Sequence, residues 1–301
     1  MSDPKDDSRA VEIVDVDIRA WVEAARANPA LYRDRQVTEI VLAAIGLTPS
    51  LHRTLVLKGG ALMALAFGSH RLTTDVDFTA MAEPGGFAQL LTDELNAQMP
   101  RTAIELGHAD LVCRIQTVEK KPRPQNFTGH DFPALLVRIA SATRGTNEQK
   151  RLNAGNASRV LDIEISFRDQ VYESQQLNLT DAGVSVCAFT IHELIAEKLR
   201  ALLQQVARKR NRRQDIYDIA FLLEGHQMGP DDRAAIHDTL VKKCRTRGIE
   251  PGADSLDDAE LVRRARADWD TLKLEVPDLP PFDRQYAIVR DFYATLPWRD
   301  G

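Results

Sequence analysis

Carboxylates two residues apart are the first feature of this sequence that could do chemistry. Asp-x-Asp occurs three times, at Asp15/Asp17, Asp75/Asp77 and Asp268/Asp270, so the motif alone selects nothing. Surroundings separate them. Asp75-Val76-Asp77-Phe78 reads as a strand in which Asp75 and Asp77 project together on one face while Val76 and Phe78 face the core. Two carboxylates held that way repel, unless a divalent cation neutralises them. The other two pairs read as solvated acids. A matching strand lies at Val160 to Phe167: Leu161, Ile163, Ile165 and Phe167 alternate onto one face and leave Asp162, Glu164 and Ser166 on the other. If the two strands are neighbours, either Asp162 or Glu164 supplies a third carboxylate. Such an oxygen-only cluster suits Mg²⁺, which keeps positions for water and phosphate oxygens. The chemistry it suits is phosphoryl or nucleotidyl transfer from a nucleoside triphosphate (NTP).

Phosphate also needs a seat. Gly59-Gly60 falls where an aliphatic run, Leu55 to Leu57, gives way to the helix-prone ALMALAF. Glycines at a strand-to-helix turn let backbone N–H groups approach an anion, and the helix N-terminus favours one. Arg71, between the glycines and the acidic strand, offers a guanidinium for phosphate. A tight turn and a solvated arginine are the plainer alternatives, and position favours the chemical reading.

The segment LKGGALMALAFGSHRLTTDVDF resembles the first motif of the AbiEii/AbiGii-type nucleotidyltransferase toxins, within the polymerase-β-like nucleotidyltransferase superfamily. IHELIAEKLRAL followed by RQDIYDIAFLL is similar to the family's lysine-bearing helix and its downstream acidic helix. The resemblance implies an α+β fold in which a polymerase-β-like domain with a mixed sheet, residues 1–189, precedes a helical C-terminal domain, 190–301, with the cleft between them. It implies Asp75, Asp77 and Glu164 as metal ligands, the sequence Glu-Ile-Ser favouring Glu164 over Asp162. It places the NTP on Gly59, Gly60, Arg71 and Lys198, and gives Asp215 a part in activity. Ala61 stands where the family carries Thr or Ser, so Ser69 or Thr73 is left to offer phosphate a hydroxyl. The acceptor it implies is RNA, most often the tRNA 3′ end, and the partner a separate antitoxin protein.

Lys198 lies in the apolar stripe of its helix, with Ile191, Leu194, Ile195 and Leu202, rather than opposite it. A lysine there either snorkels at the stripe's edge or turns its ammonium into a cleft that handles phosphate. Glu193 and Glu197 are expected at the surface or beside Arg200. Asp215 and Asp218 fall in the first turns of the next helix, where acids also favour the helix dipole. Between the two helices runs Arg208-Lys209-Arg210-Asn211-Arg212-Arg213, five cations in six residues. Such a run is either a solvated loop or a contact for polynucleotide phosphates.

These residues need elements to hold them. Helical spacing covers 17 to 46, broken at Asn28-Pro29, and again 86 to 99. Strands are expected over 110–118, 134–141 and 159–167, and helices near 190–206, 213–224, 231–245, 257–272 and 284–295. An apolar share of 44% and 28% charged residues fit a globular chain with a real core. The longest apolar run, Ala61 to Phe67, is far short of the ~20 residues of a bilayer span. The opening MSDPKDDSRA lacks the pattern of a secretory leader. Three scattered cysteines without metal spacing fit a reduced, cytoplasmic protein. The formal net charge of -5 disfavours nucleic acid as a partner overall, which makes the local basic run the more distinctive.

Overall fold

The computed structural model describes residues 12–298, and MSDPKDDSRA lies outside them. The first half contains β1 (Ile13–Val16), α1 (Ile18–Glu23), α2 (Pro29–Leu47), α3 (Pro49–His52), β2 (Leu55–Lys58), α4 (Gly59–Ala66), β3 (Asp75–Ala80), α5 (Phe87–Glu105) and β4 (Leu111–Lys121). Then come β5 (Ala134–Thr143), α6 (Asn147–Asn153), β6 (Val160–Phe167), β7 (Ser174–Leu179) and β8 (Val184–Phe189). The helices α7 (Ile191–Gln204), α8 (Arg213–Gly225), α9 (Pro230–Arg245), α10 (Ala259–Arg266) and α11 (Phe282–Ala294) follow. The fold is α+β, with one mixed eight-stranded sheet in the order β1-β7-β8-β2-β3-β6-β5-β4.

Local chemistry accounts for the punctuation. Asn28 caps α2, its side chain accepting the N–H groups of Ala30 and Leu31, and Pro29 supplies a first helical residue with no N–H to satisfy. Asp17 caps α1 in the same way, and Asp15 accepts a bond from Asn178. The Asp15/Asp17 pair is therefore structural. Thr190 caps α7 through the Glu193 N–H.

Register decides which side chains meet. β3 and β6 are parallel neighbours, with Asp75 opposite Asp162 and Asp77 opposite Glu164. β2 lies antiparallel on the other side of β3, with Lys58 opposite Asp77. Lys58, Asp77 and Glu164 thus form one row on one face of the sheet. Val76, Phe78, Ile163, Ile165 and Phe167 fill the other face and are buried in a core that continues through α2, α5 and the C-terminal helices. Phe87 of α5 packs edge-on against Phe167.

Several elements depart from the sequence expectations. Strands β1, β7 and β8 and helices α3 and α6 are additional. α5 runs through Pro100 to Glu105 instead of stopping at Met99. The single helix expected over 257–272 is divided, because Asp268 adopts a left-handed conformation (φ 59°) between α10 and a 3₁₀ turn at Trp269–Leu274.

Candidate active site

The turn from β2 into α4 is built for close approach. Gly59 has φ +69°, a conformation that costs side-chain-bearing residues energy, and a Cβ on it would collide with the Asp77 carboxylate. A Cβ on Gly60 would stand 2.7 Å from Thr73 Oγ1 and 3.1 Å from an Arg71 terminal nitrogen. The two glycines thus let the acidic strand and the arginine lie directly against the start of α4. No side chain caps that helix, so its first N–H groups are free of a cap bond.

Asp77 is the most perturbed acid of this face. Burial, together with the charges of Asp75 and Glu164, pushes its carboxyl up to about 6, against a smaller opposite pull from Lys58 and Lys198. Asp75 accepts the Thr73 hydroxyl at 2.7 Å. Asp162 accepts from Arg138 at 3.3 Å and stands on the row beyond Asp77 and Glu164. Among the described residues, no three His, Cys, Asp or Glu side chains are gathered as a ready-made metal group.

Lys198 is buried, as its place in the apolar stripe predicts, and it does not snorkel. Its ammonium donates to Asp218 at 2.7 Å and to Asp215 at 3.1 Å. Burial works against its charge, and the two carboxylates outweigh burial and raise its pKa. Asp218 is fully buried and also takes two bonds from Arg71, at 2.9 and 3.1 Å. Burial alone would raise the Asp218 pKa, but Lys198 and Arg71 hold it below the usual range. The third corner of Arg71 donates to Glu275 at 2.8 Å. Ser69 is buried in the same loop, its hydroxyl oxygen accepting the Arg71 N–H at 3.3 Å. Ser69 therefore shapes the loop that carries Arg71.

The structure thus brings Gly59, Gly60, Ser69, Arg71, Asp75, Asp77, Glu164, Lys198 and Asp215 to one region. Sequence reasoning gave no site role to Lys58, Asp218 or Glu275. Lys58 adjoins the glycine pair, and Asp218 lies one helical turn beyond Asp215, both visible signals. Glu275 had none.

Most of the chain, residues 40–288, matches the model of a family described as "Nucleotidyl transferase AbiEii toxin, Type IV TA system". The chain belongs to that AbiEii family. It is a nucleotidyltransferase. Among curated proteins none matches it. Two solved structures share its fold. MenT4, a nucleotidyltransferase toxin from Mycobacterium tuberculosis H37Rv, superposes with a TM-score of 0.53 at 17% identity over 94% of this chain and 90% of that one. JHP933 from Helicobacter pylori gives 0.51 at 18% identity over 89% and 92%.

A second charge cluster lies behind the AbiEii site. Lys243 is buried against Glu193 at 2.7 Å and Glu197 at 3.5 Å, and Arg200 pairs with Glu197. Glu193 is fully buried, so its expected surface position is corrected: it holds α9 to α7, and it accepts the N–H groups of Tyr172 and Glu173. Lys58 reaches toward this cluster, donating to Ser166 at 2.7 Å with Asp169 at 3.6 Å. The basic run occupies the turn between α7 and α8, where every residue from Val206 to Arg212 is exposed and Lys209 is left-handed (φ 51°). No helix among the described residues is long and apolar enough to cross a membrane.

Proposed function

We propose that this AbiEii nucleotidyltransferase transfers a nucleoside monophosphate from an NTP to RNA, with the tRNA 3′ end as acceptor, in a reaction that uses Mg²⁺. The observation that carries the proposal is the parallel β3–β6 register, which sets Glu164 beside Asp77, the acid that lies directly against the glycine turn. The acids fit a divalent cation: all are hard oxygen donors, Asp75, Asp77 and Glu164 share one face, and burial together with the charges of its two neighbours lifts Asp77 to about 6. Mg²⁺ bound there would neutralise charge on the reacting phosphate oxygens.

The chain's own groups do the rest. Backbone N–H groups at the start of α4 receive phosphate oxygens beside Gly59 and Gly60. Arg71 and Lys198 stabilise negative charge at the transferring and leaving phosphates, with Asp215 and Asp218 fixing the ammonium. The acceptor hydroxyl attacks the α-phosphorus in line, a new P–O bond forms, and the bond to pyrophosphate breaks. The exposed cations Arg208, Lys209, Arg210 and Arg212 suit the phosphates of a polynucleotide. In this reading residues 1–189 form the nucleotidyltransferase domain and 190–301 the helical domain, with the cleft between. The reaction belongs in the cytoplasm, where NTP and RNA meet. The family's description as part of a type IV TA system supports a separate antitoxin protein.

Incubating the purified protein with each labelled NTP, total RNA and Mg²⁺ tests this directly. Label on RNA of tRNA size, lost with EDTA and in Asp77→Ala, is the expected result. Label that appears only on protein or on a small molecule overturns the acceptor.

A further inference from the structure

The segment after α10 carries no recognised motif, yet it sends a carboxylate into the site. Glu275 follows the 3₁₀ turn Trp269–Leu274 and makes bonds to two separate segments. Its carboxylate accepts from Arg71 Nη1 at 2.8 Å and from the Gln214 amide at 3.0 and 3.1 Å. Its backbone carbonyl accepts the Leu72 N–H at 3.0 Å. One residue thus ties the loop between α4 and β3 to the first turn of α8, across 204 positions of sequence from Arg71.

The geometry at Arg71 gives this tie a purpose. A guanidinium has five N–H donors in a rigid plane. Asp218 takes one from Nε and one from Nη2, and Glu275 takes one from Nη1, which leaves two for an anion. The Asp218 pair alone leaves the outer corner of the plane unrestrained. Glu275 fixes that corner, with Nη2 packed against Gly60 at the start of α4. We infer that Glu275 is a positioning residue for the nucleotide: through Arg71 it holds a guanidinium at the triphosphate end of the site in binding geometry. This rests on the proposed role of Arg71 as a phosphate ligand.

Steady-state kinetics on the full chain test it. Glu275→Ala should raise KM for the NTP about tenfold and lower kcat by a smaller factor, because a displaced Arg71 also stabilises the transferring phosphates less well, with KM for RNA within about twofold of the parent. Glu275→Gln, whose amide oxygen still accepts from Arg71, should recover most of the affinity. Gln214→Ala removes only the brace on Glu275 and should shift KM for the NTP in the same direction by less, which keeps the idea testable if Glu275→Ala fails to fold. Arg71→Ala is the reference. An unchanged KM for the NTP in Glu275→Ala, with a raised one in Arg71→Ala, overturns the positioning role and leaves Arg71 as a phosphate ligand. An unchanged KM in both overturns the reading of Arg71 as well. A Gln variant as impaired as Ala would mean that charge matters rather than position, and would also overturn the inference.

Discussion

The two halves of the site handle charge in opposite ways. On the sheet, Asp75, Asp77 and Glu164 face one another with Lys58 and Lys198 to moderate them, and Asp77, buried beside the other two, has a raised pKa. Where α7 and α8 meet the loops that carry Arg71 and Glu275, Lys198 and Arg71 are matched against Asp215, Asp218 and Glu275 by direct bonds, and Asp218 is held below its usual range. An under-compensated cluster of acids is where a protein gives up stability for a ligand, whereas a matched buried network is where it fixes side chains in place. Substitutions in the two halves should therefore affect activity alike and stability oppositely.

The largest effect is expected on the sheet. Asp75→Ala or Asp77→Ala should remove transfer by more than about 1000-fold while the melting temperature holds or rises, because each change relieves repulsion as it deletes a metal ligand. A mutant near parental turnover would sink the carboxylate assignment. Lys198→Ala should lower kcat by about 100-fold with any acceptor. Unlike the sheet mutants it should also lose stability, by about 3–5 kcal/mol, since the buried Asp218 is left with Arg71 alone. A Lys198→Ala protein as stable as the parent would erase the contrast between the halves.

Acid titration sharpens the same contrast. Because Asp77 binds its proton more tightly folded than unfolded, the folded state carries the extra proton between 3.8, the ordinary value for an aspartate, and about 6. In EDTA, parental stability should therefore fall as pH rises through that window and level off above it, by up to roughly 3 kcal/mol. Asp77→Asn should flatten that fall in denaturant midpoints measured from pH 4 to 7. The two candidate third carboxylates come next. Glu164→Gln, opposite Asp77, should cost more activity than Asp162→Asn, which is engaged by Arg138. The reverse order in a side-by-side assay would shift the site along β6. The smallest effect on either half belongs to the basic turn. Neutralising Arg208, Lys209 and Arg210 should leave NTP affinity alone but raise KM for RNA and flatten its salt dependence, by up to about 0.7 to 0.9 in log–log slope per lost phosphate contact. An unchanged slope would make the turn a solvated loop.

What could be foreseen from sequence tracks the range of the interactions. Alternation at Leu161 to Phe167 shows which side of β6 is acidic, and Asn28-Pro29 marks a helix start, because both depend on near neighbours. The pairing of β3 with β6 is an inference from two similar patterns, and register alone puts Glu164 rather than Asp162 beside Asp77. Asp218 has the spacing of a helix-cap acid, and its burial comes from Arg71, 147 residues away. Glu193 fails as a surface residue for the same reason, its partner Lys243 lying on another helix. Pro100 reads as a stop, but α5 continues to Glu105, with Met99, Thr102 and Ala103 buried on its inner face.

The Arg71–Glu275 bond sets a timetable for the protein's own synthesis. A chain leaving the ribosome exposes its glycine turn and first two acids early, gains Glu164 only when β6 slots between β3 and β5, and Lys198 and Asp218 later still. Glu275 comes after all of these, so the outer corner of Arg71, beyond its two bonds to Asp218, is fixed only when residue 275 has emerged. A nascent or prematurely terminated toxin is thereby left with its arginine held at one edge only.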